Sequence, residues 1–226
     1  MNQPVERPSQ VSQAVERPPQ ANQPVERRRQ SWREFRLAYP GIITVLFVAL
    51  VSMVAVAAER ALDKEVVVAA TPEQVWDAWT TREGIVSFFA PDAQIEPRVG
   101  GAFHVYINPL APPGMKGADD MHFMALQKPS MLSFDWSAPP SLPEVRAQRT
   151  FVVVRITPVG DKQTRVTLHH TGWGDGGEWD KAYAYFDRAW GNVLPNLAKR
   201  FETGPVDWTE WMERMRQMQQ AAPAPK

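Results

Sequence analysis

The chain contains no cysteine. That absence excludes disulfides, thiolate nucleophiles and cysteine-ligated metals together, and leaves the redox compartment open. Histidine is scarce, with four in 226 residues. None of the four forms an H-E-x-x-H pair, so the helical zinc-protease arrangement is excluded. The G-x-S-x-G nucleophile elbow is missing, and Ser87, Ser130 and Ser133 have no His–acid pattern near them. The Gly100-Gly101 pair lacks the G-x-x-x-x-G-K spacing and a following helix, so it reads as a turn at a strand start and not as a phosphate loop. Neither sign of charge is in excess, with 25 Lys+Arg against 25 Asp+Glu.

The balance hides an asymmetry. Residues 1–58 hold seven Arg and four Glu, a net of +3, so the remainder holds 18 basic and 21 acidic residues, a net of −3. A mildly acidic globular part attracts no polyanion, which argues against nucleic acid as a partner.

An imperfect ten-residue repeat opens the chain: NQPVERPSQ from Asn2, SQAVERPPQ from Ser12, NQPVERRRQ from Asn22. Each unit offers one Val among Pro, Gln and charge, too little apolar surface to offset the entropy of ordering. Residues 1–36 therefore read as a disordered tail with a basic end. Arg27–Arg36 carries five Arg against one Glu, and Leu37–Ala58 then carries no charge. About 20 apolar helical residues cross a hydrocarbon core, so 37–58 is expected to be a transmembrane anchor. Flanking arginines stay in the cytoplasm, which sends the rest of the chain outside it. Ala55-Val56-Ala57 resembles a signal-peptidase site, so a cleaved signal with a secreted or periplasmic domain is the alternative. A buried core helix would show a polar face, and this stretch has none.

The folded part spans 62–205. DKEVVVAA (Asp63–Ala70) reads as a strand of β-branched residues. Thr71, Pro72 and Gln74 make a helix start with a capping box, and Val75, Trp76 and Trp79 mark its apolar side. A second short helix follows over Arg82–Phe88. Short strands come next: one near Gln94–Glu96, GGAFHVYIN, MHFMALQ and MLSFDWS joined by KPS, then RTFVVVRITPV and TRVTLHHTGW as a hairpin around Gly160-Asp161. Asn108–Asp120 reads as loop from its three prolines and two glycines. The last element is a long helix whose Trp179, Tyr183, Phe186, Trp190, Val193, Leu194, Leu197 and Phe201 recur at spacings of three and four. Pro195 falls roughly opposite that stripe and is expected to bend the helix. The order predicts an α+β helix-grip fold: a curved antiparallel sheet of six or seven strands around a long C-terminal helix, with two short helices after the first strand.

TPEQVWDAWT, VGGAFHVY, ALQKPSMLSFDWS and HHTGWGDGGEWDKAYAYFDRAWGNVLPNL, in that order, resemble the SRPBCC superfamily, which includes START-type lipid-transfer domains and pollen-allergen-type ligand binders. Within it the chain is most similar to the family of the C-terminal domain of the activator of heat shock protein 90 ATPase. The resemblance covers about Leu62 to Phe201. It implies a helix-grip domain with an apolar cavity between sheet and helix. It does not imply chaperone activation, because nothing here resembles the further N-terminal domain of that co-chaperone.

The expected ligand is a small apolar molecule, a lipid or an aromatic, without a cofactor. Ring-bearing candidates for the cavity wall are Trp79, Phe103, Phe134, Trp136, Trp179, Tyr183, Phe186 and Trp190. Candidate polar anchors are His104, Tyr106, His122, Arg155 and His170. Strand alternation puts His104 and Tyr106 on the face opposite Phe103 and leaves open which face lines the cavity. It also sends His169 and His170 to opposite faces. A His104–His122 pair falls short of the three or four ligands that zinc needs. Asp135, Asp187 and Glu96 are the carboxylates available to an acid–base site, and the cyclases of the superfamily keep an enzyme reading open. A protein-interaction domain is the third reading.

Residues 206–226 read as an amphipathic helix with Asp207 as cap, followed by a short tail. Trp208, Trp211, Met212 and Met215 form its stripe, which is expected to pack back on the domain. A homodimer or membrane interface through that stripe is the alternative.

Overall fold

A computed structural model describes Glu59–Ala221. The repeat tail, the Leu37–Ala58 segment and the last five residues lie outside the described residues. Among the described residues no helix is long and apolar enough to cross a membrane.

The first strand, β1 (Leu62–Val68), alternates: Leu62 and Val68 are buried while Asp63, Glu65 and Val67 are exposed. Helix α1 (Pro72–Thr80) starts on the full capping box, with Gln74 N–H donating to Thr71 Oγ1 and Thr71 N–H to Gln74 Oε1. Thr81 ends α1 and caps α2 (Arg82–Val86) through its hydroxyl. The two helices touch backbone to backbone at Gly84, where a Cβ would lie 2.3 Å from Asp77 O. No other residue fits there without parting them.

Eight strands follow the antiparallel pattern in two sheets. Strands β5 (Phe123–Gln127), β6 (Met131–Trp136), β7 (Thr150–Gly160) and β8 (Gln163–Thr171) join β1 in the order β1-β8-β7-β6-β5. Strands β2 (Asp92–Ile95), β3 (Phe103–Tyr106) and β4 (Gly117–Ala118) form the smaller sheet. A bridge between Ala102 and His122 stitches the sheets together, with Phe103 N–H donating to Met121 O at 2.8 Å. The count exceeds the expected six or seven because β4 forms inside the proline-rich loop. There Gly117 pairs with Tyr106 and Ala118 with Val105. Local composition reads as loop, and pairing to β3 overrides it. A short helix, α3 (Pro143–Arg146), was likewise not anticipated.

Helix α4 (Gly177–Thr203) lies against the sheet. It buries Ala182, Phe186, Trp190, Val193, Leu194 and Leu197, the centre of the stripe read from the sequence, and leaves Pro195 exposed. Each buried Leu or Phe contributes roughly 1.5–3 kcal/mol. Two ion pairs between α4 and the chain at β1 run along the helix flank, Arg60–Asp180 and Lys64–Asp187, both at 2.6 Å. Helix α5 (Thr209–Ala221) packs back on the domain. Its indoles reach other elements: Trp208 Nε1–H donates to Val86 O at 2.6 Å and Trp211 Nε1–H to Ile107 O at 2.8 Å. Asp207 accepts from both the backbone and the hydroxyl of Thr209, as a capping side chain does.

Candidate functional site

Strand alternation brings one set of rings together under α4. Trp79, Phe103 and Phe134 are fully buried, with Trp190, Trp136 and Phe186 nearly so. Phe134 lies at the centre. It stacks on Phe103 with centroids 4.1 Å apart, on Trp79 at 6.3 Å, and edge-on to Trp136 at 5.4 Å. Phe89 joins Trp136 to Trp190, at 5.9 and 5.6 Å. The sequence pairs these rings only by parity; Phe89, from the end of α2, was not among the candidates.

His170 is the one buried imidazole among the described residues, and each of its ring nitrogens is used. Trp190 Nε1–H donates to Nδ1 at 2.9 Å. An indole nitrogen only donates, so the proton sits on Nε2. Nε2–H then donates to Thr150 Oγ1 at 2.7 Å, and Thr150 donates onward to Trp136 O at 3.3 Å. Burial, and secondarily the neighbouring His169, lowers the pKa of His170 to about 3. The imidazole is therefore neutral and joins helix to sheet.

The other polar candidates lie elsewhere. Arg155 is exposed on the outer face of β7. His169, one residue from His170, is also exposed and bonds to Asp63 at 2.8 Å. His104 and Tyr106 are half-buried on the face of β3 away from Phe103, 3.4 Å apart from Nδ1 to hydroxyl. His122 is exposed, with its ring 6.1 Å from that of His104. Burial, then the charge on His122, lowers the His104 pKa. Burial, then Asp119 and Asp92, raises that of Tyr106. The reason is geometric: side chains that alternate along a strand cannot all face one wall. Among the described residues no group of three or more His, Asp or Glu is placed to hold a metal. Asp135 accepts from His122 N–H at 2.5 Å and pairs with Arg149 at 3.3 Å, which accounts for its charge structurally.

Trp173, Trp179 and Tyr183 form a half-buried group at the start of α4. Trp173 lies 5.2 Å from Tyr183 and 6.5 Å from Trp179. Trp179 presses on the backbone of Gly174, where a Cβ would lie 2.5 Å from the indole nitrogen. Tyr183 donates to Ala61 O at 2.7 Å under the Arg60 guanidinium.

The rings leave an apolar opening next to the core. It is a cleft of about 140 Å³ between α4, the β3–β4 connection and the chain after β6. Trp136 and Phe186 come from the core side, Tyr185 from α4, and Ile107, Met115, Lys116 and Ala118 from the β3–β4 hairpin. Ser137, Pro139 and Pro140 close the far side. Of the sequence candidates only Trp136 and Phe186 line it. Tyr185 sits beside the helical stripe, and the loop residues carried no periodicity, so neither signal pointed here. Desolvation raises the Tyr185 pKa. Lys116 is the cleft's single charged side chain. Trp136 is 4% exposed and its Nε1–H is buried without a hydrogen-bond partner. Trp79 Nε1 is also unpartnered, deeper in the same ring layer. Leaving such a donor unsatisfied costs about 1–3 kcal/mol. Two larger hollows, of about 440 and 430 Å³, are polar: one lies between the end of α4 and the start of α5, the other beside Asp119, Arg146 and Arg149.

A curved antiparallel sheet gripping a long helix, with rings packed between and a cleft at one end, defines a helix-grip domain. The model of the family described as "Activator of Hsp90 ATPase homolog 1-like protein" matches residues 69–202, more than half the chain, and the chain belongs to that family. The match excludes α5. Solved structures share the fold. A Mesorhizobium loti protein known from a crystal structure is 20% identical, with a TM-score of 0.52 over 65% of this chain and 100% of that one. The Aha1 dimer from Colwellia psychrerythraea, solved in solution, is 19% identical, with a TM-score of 0.50 over 64% of this chain and 98% of that one. The comparison with curated proteins finds no match.

Proposed function

We propose that this domain binds one small apolar molecule in the cleft beside Trp136, and does so without chemistry of its own. The observation that carries the reading is the cleft itself: an opening of about 140 Å³ walled by Trp136, Phe186, Ile107, Met115 and two prolines, with Lys116 as its single charged side chain. Apolar walls with a few polar groups suit such a ligand. Arg27–Arg36 before Leu37–Ala58 supports a location outside the cytoplasm, held by a membrane anchor. The dimeric state of the Colwellia protein extends the proposal to self-association, which sedimentation of the purified chain checks.

Native mass spectrometry of the full chain, purified gently from its own host, tests the binding reading. A stoichiometric extra mass that disappears on organic extraction supports it. A clean apo mass, unmoved by a panel of lipids and aromatics, overturns it.

A further inference from the structure

The chain enters the domain through a face that carries exposed and half-buried rings, and what this implies rests on the membrane-anchor reading above. Glu59 directly follows the uncharged Leu37–Ala58 segment. The fold takes hold of the chain at once. Thr171 Oγ1–H donates to Glu59 Oε1 at 3.1 Å, Arg60 pairs with Asp180 at 2.6 Å, and Ala61 O accepts from the Tyr183 hydroxyl at 2.7 Å. Each residue of chain reaches at most about 3.6 Å, so a span that ends at Ala58 keeps the surface around residues 59–61 beside the bilayer. Rings gather on that surface. Trp173, Trp179 and Tyr183 are half-buried at the start of α4. Phe151, the cross-strand partner of Thr171, is 42% exposed, and its ring borders Gly172. Trp and Tyr combine an apolar body with a polar edge and concentrate at the headgroup level of membranes. Most charges nearby are matched inside the fold. Arg60 holds Asp180, and Glu178 accepts from the backbone N–H groups of Glu144 and Val145 at 2.9 and 3.2 Å. Asp175 and Lys181, which form no ion pair among the described residues, are opposite in sign. With no basic patch to draw in anionic lipid, the rings and not the charges carry the contact.

We infer that this face, with Phe151, Trp173, Trp179 and Tyr183 around the entering chain, rests in the headgroup layer of a lipid bilayer. The domain then has a fixed orientation on the membrane. The β7–β8 turn at Asp161 and Lys162 lies at the other end of the nine-residue β8, roughly 25 Å away at about 3.3 Å per residue, and stays in water.

The absence of cysteine allows a single label at a chosen site. Asp175→Cys, beside the rings, and Lys162→Cys, at the β7–β8 turn, are both exposed positions and each takes one bimane fluorophore. The labelled full chain is reconstituted in phosphatidylcholine vesicles, with and without phosphatidylcholine that bears a nitroxide on its headgroup. The expected result is that the nitroxide removes most of the emission at position 175 and leaves that at 162 unchanged, and that salt or added phosphatidylglycerol alters neither. Phe151→Asp changes an exposed ring and should keep the melting temperature. It should restore much of the emission at 175 while the chain still floats with the vesicles. Equal emission at both positions, in a chain that floats with the vesicles at alkaline pH, overturns the docking and leaves the anchor standing. Quenching at 175 that Phe151→Asp does not change reduces the proximity to the tether alone and also overturns the docking. A chain that does not float removes the anchor, and this inference with it.

Discussion

Trp190 on α4 donates its indole N–H to Nδ1 of His170 on β8 across 2.9 Å, within the core. This bond sets the imidazole tautomer. It also makes the seat of the long helix depend on His170 staying neutral, since a protonated Nδ1 would face an N–H with no lone pair to accept it.

Acid stability is the direct consequence. The folded-state pKa of His170 is depressed, to about 3 from an ordinary 6.5. Its contribution to stability is fully present above pH 6.5 and is lost as pH falls toward the folded value. In that window the unfolded chain binds one proton more, which is worth about 1.4 kcal/mol per pH unit. Urea unfolding between pH 7 and 5, above most carboxylate titrations, should show this loss. His170→Gln keeps a donor and an acceptor but has nothing to titrate, so its profile should be flatter. An equally steep profile in the variant would remove His170 as the cause.

Phe134 and Arg155 should behave oppositely. Phe134 is fully buried, and truncating such a ring leaves a cavity. Phe134→Ala is expected to destabilise by about 3–5 kcal/mol. Arg155 is exposed on the outer face, and Arg155→Ala should stay within about 0.5 kcal/mol of the parent. Thermal melts of both variants check the assignment of faces; a large loss at Arg155 would contradict it.

The capping box at Thr71 makes a smaller, sharper prediction. Thr71→Ala removes the side-chain acceptor for Gln74 N–H and should cost about 1 kcal/mol. Thr71→Asn, which also caps, should recover most of it, as chemical denaturation would read directly.

Helix α5 lies beyond the family match and steadies a cleft wall. Trp211 holds Ile107 O at 2.8 Å, and Gln219 reaches Leu110 O at 3.4 Å. Ending the chain after Gly204 should speed hydrogen exchange over residues 108–117 and leave β6–β8 protected. Uniform acceleration across the sheet would mean that α5 supports the whole fold and not this wall.

The proposed location can be read through the missing cysteine. Ser141 is exposed, so Ser141→Cys provides the chain's single thiol. A membrane-impermeant maleimide should label it in intact cells. Labelling only after lysis would place the domain in the cytoplasm.

Much of this was legible in the sequence because local patterns carry it. Alternation in β1 and β6–β8, the Thr71–Gln74 cap and the stripe of α4 each need only a few neighbouring residues and one period. The separation of His169 from His170, and of Phe103 from His104, follows from the same alternation. The order of motifs also pointed to the helix-grip family. Alternation does not say which face meets the helix, because that depends on how the sheet curls and what packs on it. Only the tertiary structure put Phe134 inside and Arg155 outside, and turned a proline-rich loop into β4 by giving it β3 to pair with. The cleft belongs to the same category. Its walls come from α4, the β3–β4 hairpin and the turn after β6, segments far apart in the chain. Their meeting is set by packing across the whole domain, which no local period encodes.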